Sequence, residues 1–100
     1  MDEAKIFQVF ESIGLMKNET IVYLDLIKTG GNSSAHDVAN RTKIHRSNVY
    51  DILSKLAKKG IVTQSIENNV KKFYPVSPQN ILDYFNQYGW VLNYHANKGI

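Results

Sequence analysis

The sequence predicts a small, mainly α-helical domain carrying one β-hairpin, and three observations support this. Apolar residues recur at helical spacing in the segments before Gly60. After Gly60 the period changes to extended, β-prone runs, "IVTQSI" and "VKKFYPV". A serine–proline pair, Ser77–Pro78, then opens a last apolar stripe at helical spacing. With 100 residues, the chain is expected to be a single domain over 1–100. Its core is placed at about 14–77, between an N-terminal helix over 2–13 and a C-terminal helix over 78–95.

The first helix rests on Ile6, Phe10 and Ile13, at i, i+4 and i+7. Asp2 and Glu3 suit the positive end of its dipole, and Gly14 is a plausible stop. In "KNETIVYLDLIKTGG", Val22, Tyr23, Leu24, Leu26 and Ile27 cover most of a helix circumference, so this helix should be central and buried. "NSSAHDVANRT" reads as a short third helix, capped by Ser34 with Asp37 three residues on, and with Ala35, Val38 and Ala39 facing inward. A fourth helix over 46–59 has one buried stripe, Val49, Ile52, Leu53 and Leu56. The two extended runs flank "ENN", and Asn tolerates the left-handed geometry of a hairpin tip. Ser77 caps the last helix, whose stripe Ile81, Phe85, Tyr88 and Leu92 is weakened by Gly89. Four helices, a basic hairpin and a closing helix, with the fourth helix also basic, describe a winged helix-turn-helix.

Composition narrows the function. Hydrophobic content of 43% and charged content of 21% are ordinary for a globular domain. No apolar run approaches the roughly 20 residues of a membrane span, and the acidic, amphipathic N-terminus is no signal peptide. No membrane partner is expected, and a cytoplasmic location is the simplest reading. The chain has no Cys, which removes disulfides, thiolate chemistry and Cys-type zinc sites. His36, His45 and His95 lack ligand spacing, so no metal is expected. "TGGNSS" follows a helix and lacks the Gly-Lys-Ser/Thr ending of a phosphate loop. Nothing arranges a catalytic triad, so neither an enzyme nor a cofactor is expected.

The net charge is +3, but its distribution is uneven. Residues 1–37 carry three basic and six acidic side chains, while residues 38–72 carry eight basic and two acidic. Such segregation can present a positive face to phosphate, unless folding scatters the charges. On a helical wheel the fourth helix turns Ser47, Asp51, Ser54 and Lys58 away from its buried stripe, with Asn48 and Lys55 on one flank and Tyr50 on the other. Arg46 leads the first turn. Arg suits guanine, Asn suits adenine and Ser either base, whereas Lys55, Lys58 and Lys59 suit the phosphate backbone. Asp51 is discordant: it could accept from a cytosine amino group or orient Arg41 or Arg46. The hairpin brings Lys71 and Lys72 to a wing at 67–72, read either as phosphate contacts or as Lys protecting a strand edge. The candidate DNA-binding set is Ser34, Lys43, His45, Arg46, Ser47, Asn48, Tyr50, Asp51, Ser54, Lys55, Lys58, Lys71 and Lys72.

Several motifs resemble one family. Gly14-Leu15, Val22-Tyr23-Leu24, Arg46-Ser47-Asn48-Val49-Tyr50-Asp51, Lys59-Gly60-Ile61-Val62 and Tyr74-Pro75 look like those of the TrmB-type transcriptional regulators, found mostly in archaea. The likeness covers about residues 10 to 84 and is to the DNA-binding domain alone, without the C-terminal effector domain that binds sugars in many members. It implies operator binding as a dimer, with Arg46, Ser47, Asn48 and Tyr50 at the DNA, and names no small-molecule effector. The chain departs from the pattern at its wing exit, where Tyr74-Pro75 shortens the family's Tyr-x-Pro, and at three single positions. Met16 stands where the family has a capping Thr, so Asn18 is expected to cap instead. Lys43 stands where the family often has Gly; a left-handed Lys costs about 1 kcal/mol, so the turn is expected to differ. His45 replaces a frequent Pro.

A homodimer is expected through Ile6, Phe10, Ile81, Phe85, Tyr88 and Leu92, because Tyr84, Phe85, Tyr88, Trp90 and Tyr94 concentrate aromatics in the tail. The alternative is that this tail packs on the chain's own first helix. The function expected is a sequence-specific DNA-binding regulator. A non-specific or architectural DNA-binding protein is the alternative, and a winged helix used for protein contact is a third reading.

Overall fold

The computed structural model describes residues 3–84. Their elements are α1 (Glu3–Ser12), α2 (Lys17–Thr29), α3 (Ala35–Thr42), α4 (Arg46–Lys58), β1 (Val62–Glu67), β2 (Val70–Pro75) and α5 (Pro78–Tyr84). This is a winged helix-turn-helix, with α3 and α4 as the helix-turn-helix and β1–β2 as the wing. The expected helix beyond residue 84, with Phe85, Tyr88 and Leu92, lies outside the described residues, as do Asp2, Trp90, Tyr94 and His95.

The central helix is α2. It packs against α1, α3, α4 and β2 and buries Val22, Tyr23, Leu24 and Leu26. Val49, Ile52, Leu53 and Leu56 of α4 close the core from one side, and Ile61, Val62 and Phe73 close it from the wing. Tyr23 is fully buried: its ring lies 4.9 Å from that of Phe10, and its hydroxyl donates to the Val76 carbonyl at 2.7 Å. Burial pushes the Tyr23 phenol well above the usual tyrosine range, because the folded interior disfavours the phenolate. The folded-state pKa is raised, so this contribution to stability is intact below about pH 10 and is lost as pH rises from there towards the folded value. Tyr23→Phe is therefore expected to cost about 1 kcal/mol at neutral pH by orphaning a carbonyl, and to remove part of the stability loss above about pH 10. Denaturant titrations of both proteins on either side of that pH check this.

Ile6, Phe10 and Ile81 correct one expectation. They are 3%, 2% and 8% exposed and belong to the chain's own core, so they offer no free side chain to a second copy. The stripe on α1 is consumed within the chain, where Phe10 packs on Tyr23 of α2; the tail that the alternative reading placed there lies outside the described residues.

The start of α2 is a second correction. Met16, not Asn18, occupies the N-cap and offers no side-chain acceptor. Glu19 reaches back instead, accepting the Met16 N–H at 2.8 Å, so only half of a reciprocal capping box is formed. The cap of α3 is complete: Ser34 Oγ accepts the Asp37 N–H at 3.1 Å, and Asp37 accepts the Ser34 N–H at 3.0 Å. The turn after α3 keeps its left-handed geometry despite carrying lysine, with Lys43 at φ 63° and its N–H on the Ala39 carbonyl at 2.9 Å.

The wing is an antiparallel pair in which Val62 faces Pro75 and Glu67 faces Val70. Asn68 and Asn69 are both left-handed, at φ 54° and 65°, the geometry of a two-residue type I′ tip. Ser33 adds a bridge to Phe73 on the other edge of β2, an element absent from the sequence reading. Gly31 makes room for it: at φ 83°, a Cβ there would meet Pro75 Cδ and Tyr74 Cδ1 at 3.0 Å.

Candidate nucleic-acid interface

The two sides of α4 have different chemistry. Its inward stripe is buried, while Arg46, Ser47, Asn48, Tyr50, Asp51, Ser54, Lys55 and Lys58 are all exposed. Lys43 and His45, just before the helix, are exposed as well. The helix-turn-helix thus gathers ten of the expected residues on one surface.

The N-terminal turn of α4 is organised by its own side chains. His45 is the N-cap, its Nδ1 accepting the Ser47 N–H at 3.2 Å and lying 2.9 Å from Ser47 Oγ. In the neutral ring this leaves the proton on Nε2, directed outward as a donor. The guanidinium of Arg46 lies over the Tyr50 ring, 5.9 Å from its centroid, within range of a cation–π attraction. Arg46 and Tyr50 therefore form one feature, a planar donor fork resting on an aromatic face.

Asp51 orients neither arginine. Arg46 rests on Tyr50, and Arg41 is engaged elsewhere. Asp51 instead lines an open groove of about 340 Å³ between α4 and the start of α2, with Met16, Lys17, Asn48 and Lys55 on its walls.

Arg41, counted from sequence among the basic groups, is a structural clamp. Its Nε and Nη2 bind both carboxylate oxygens of Asp25 in α2, at 2.8 to 3.1 Å. Nη2 also donates to Ser33 Oγ at 2.8 Å. One guanidinium thereby joins α2, α3 and the bridge that carries the wing. No local pattern signals this, since Asp25 and Arg41 lie 16 residues apart.

Ser34 is half-buried, its side chain engaged with Asp37 in the cap. The Asp37 carboxyl is held below the usual range first by the Ser34 N–H, with smaller help from Lys72 and Arg41. Lys71 is exposed and Lys72 half-buried; as neighbours in a strand they point to opposite faces of the wing. Met16, Tyr50, Ile66 and Val70 are the large hydrophobics left in solvent among the described residues; of these, sequence reasoning named only Tyr50 for the outer face. All four lie on the α4 groove, the α4 outer face or the wing.

Among the described residues no group of three His, Asp or Glu side chains is placed to hold a metal ion, and no helix is long and apolar enough to cross a membrane.

Comparison with known proteins agrees with this geometry. The family model "Sugar-specific transcriptional regulator TrmB" matches residues 10–79. The chain is 37% identical over 83 residues to the HTH-type sugar sensing transcriptional regulator TrmBL1 of Pyrococcus furiosus. That match covers 83% of this chain and 24% of the relative, so the chain spans about a quarter of the relative's length. Among solved structures, TrmBL2, an archaeal chromatin protein, superposes with a TM-score of 0.75 at 23% identity, over 99% of this chain and 37% of that one. A possible transcriptional regulator from Methanosarcina mazei Go1 also gives 0.75, at 19% identity, over 95% of this chain and 83% of its own. The ST1889 protein of Sulfolobus tokodaii gives 0.74, at 17% identity, over 96% and 93%. These likenesses show the fold.

Proposed function

The chain belongs to the TrmB family of transcriptional regulators, and on that premise we propose that it binds double-stranded DNA and regulates transcription, with α4 in the major groove. The observation that carries this reading is the division along the exposed face of α4. Its N-terminal end holds Arg46, Ser47, Asn48 and Tyr50, and its C-terminal end Lys55 and Lys58. The first set matches the donors and acceptors of base edges; the second matches phosphates, which fix register without reading sequence. Arg46, braced on Tyr50, is the residue we assign to guanine. Lys43, in its left-handed turn, and His45, through Nε2, fall within reach of the same backbone.

We further propose a homodimer, as paired half-sites are how small helix-turn-helix domains gain affinity and specificity. Its seam is not built from the side chains of Ile6, Phe10 or Ile81, which are buried in the protomer.

A second reading is supported by the lysines: a basic surface binds any duplex through counterion release. Under it the protein would coat DNA without preference. A mobility-shift titration separates duplex binding from a role in protein contact. Retardation of a random duplex at low salt, weakening steeply as salt rises, is expected. No retardation at any salt would favour the protein-contact reading.

A further inference from the structure

The wing has two chemically different faces, set by its register. On one lie Val62, Gln64 and Ile66, opposite Pro75, Phe73 and Lys71; on the other lie Thr63, Ser65 and Glu67, opposite Tyr74, Lys72 and Val70. The second face carries Val70, 43% exposed, but also an acid whose bonds are made within the face. Tyr74 donates its hydroxyl to Glu67, and so does Ser65, at 2.8 Å. These two bonds hold the Glu67 carboxyl below its usual range, with a smaller contribution from Lys72. Lys72 is half-buried, with the carboxylates of Glu67 and Asp37 near enough to feel its charge. A phosphate approaching this face would meet the Glu67 carboxylate beside a half-buried cation.

The first face differs. Val62 and Phe73 anchor it in the core. Beyond the core it carries Ile66, 73% exposed, and directly across from it Lys71, exposed, its side chain in no hydrogen bond or ion pair among the described residues. A lone exposed isoleucine needs no explanation. An apolar group beside an exposed cation, near the tip of a two-residue hairpin, is a pairing that minor-groove binders use: an apolar wedge at a base step beside a basic side chain.

We propose that the wing engages duplex DNA through the Ile66–Lys71 face alone, with Lys71 as its phosphate contact and Ile66 as its apolar contact in the minor groove. This rests on the duplex binding proposed above.

The test is fluorescence anisotropy of the full chain on a random duplex across a salt series. Lys71→Gln is expected to flatten the log–log salt dependence by about one unit. Lys72→Gln should change it by less than half as much. Ile66→Ser should weaken binding by roughly 3- to 10-fold with the slope unchanged, since an apolar contact releases no counterion. A Lys72→Gln effect equal to or larger than that of Lys71→Gln overturns the proposal, as does wild-type affinity in Ile66→Ser. Absence of salt-dependent binding in the unmodified chain would instead remove the DNA-binding reading, and this inference with it.

Discussion

Arg46→Ala is expected to weaken binding to a recognised duplex by roughly 10- to 100-fold, while affinity for random duplex falls only a few-fold. Arg46 is the first residue of α4, the end of a recognition helix that reaches base edges. Its guanidinium is exposed yet not free to sample every rotamer, because it rests on the Tyr50 ring. A braced fork loses less entropy on forming two bonds to guanine than a loose one does. A bidentate contact to guanine discriminates by about 1–3 kcal/mol, and that is the loss anisotropy should register on the recognised site. Equal losses on both duplexes would reduce Arg46 to a phosphate contact.

Asp25→Ala is expected to lower stability by about 2 kcal/mol, and the melting temperature by roughly 10 °C for a domain of this size. The Asp25 side chain is 12% exposed and that of Arg41 36%, so the pair is partly desolvated. Losing one member of a fully buried pair costs about 3–5 kcal/mol, and the value here is set lower because Arg41 regains water. The clamp also holds Ser33, so its loss loosens α3 against α2 and weakens the bridge that fixes the wing. Asp25→Ala combined with Arg41→Ala should cost less than the sum of the two single changes, since the residues act as one contact. A melting curve for Asp25→Ala that overlays the unmodified protein would show that the clamp contributes nothing.

Much of this architecture is written in local pattern. The stripe Val49–Ile52–Leu53–Leu56 identifies both the extent of α4 and its buried side, and therefore the outer face by elimination. Ser34 with Asp37 and the two asparagines of the tip use short-range chemistry that needs no tertiary information. The misreadings arise where partners are distant or local cost is overridden. Ile6 and Phe10 have the spacing of any apolar stripe, and period alone cannot say whether the covering surface belongs to the same chain or to another. Asn18 is the better capping residue by propensity, yet Met16 takes the position because the chain already turns there and Glu19 supplies the returning bond. At Lys43 a penalty of about 1 kcal/mol is smaller than the packing of α3 against α4 that requires the turn. The Asp25–Arg41–Ser33 clamp depends on how the helices are brought together, and no short sequence pattern contains it.

The central claim is that α4 reads sequence. Selection of bound duplexes from a random pool by the full chain tests it most directly. The expected result is an enriched motif containing a guanine lost when Arg46→Ala is selected in parallel. For a homodimer the motif should recur as inverted half-sites about one helical turn apart. A pool that binds and yet yields no motif over successive rounds would contradict sequence reading and leave a protein that holds DNA by charge alone.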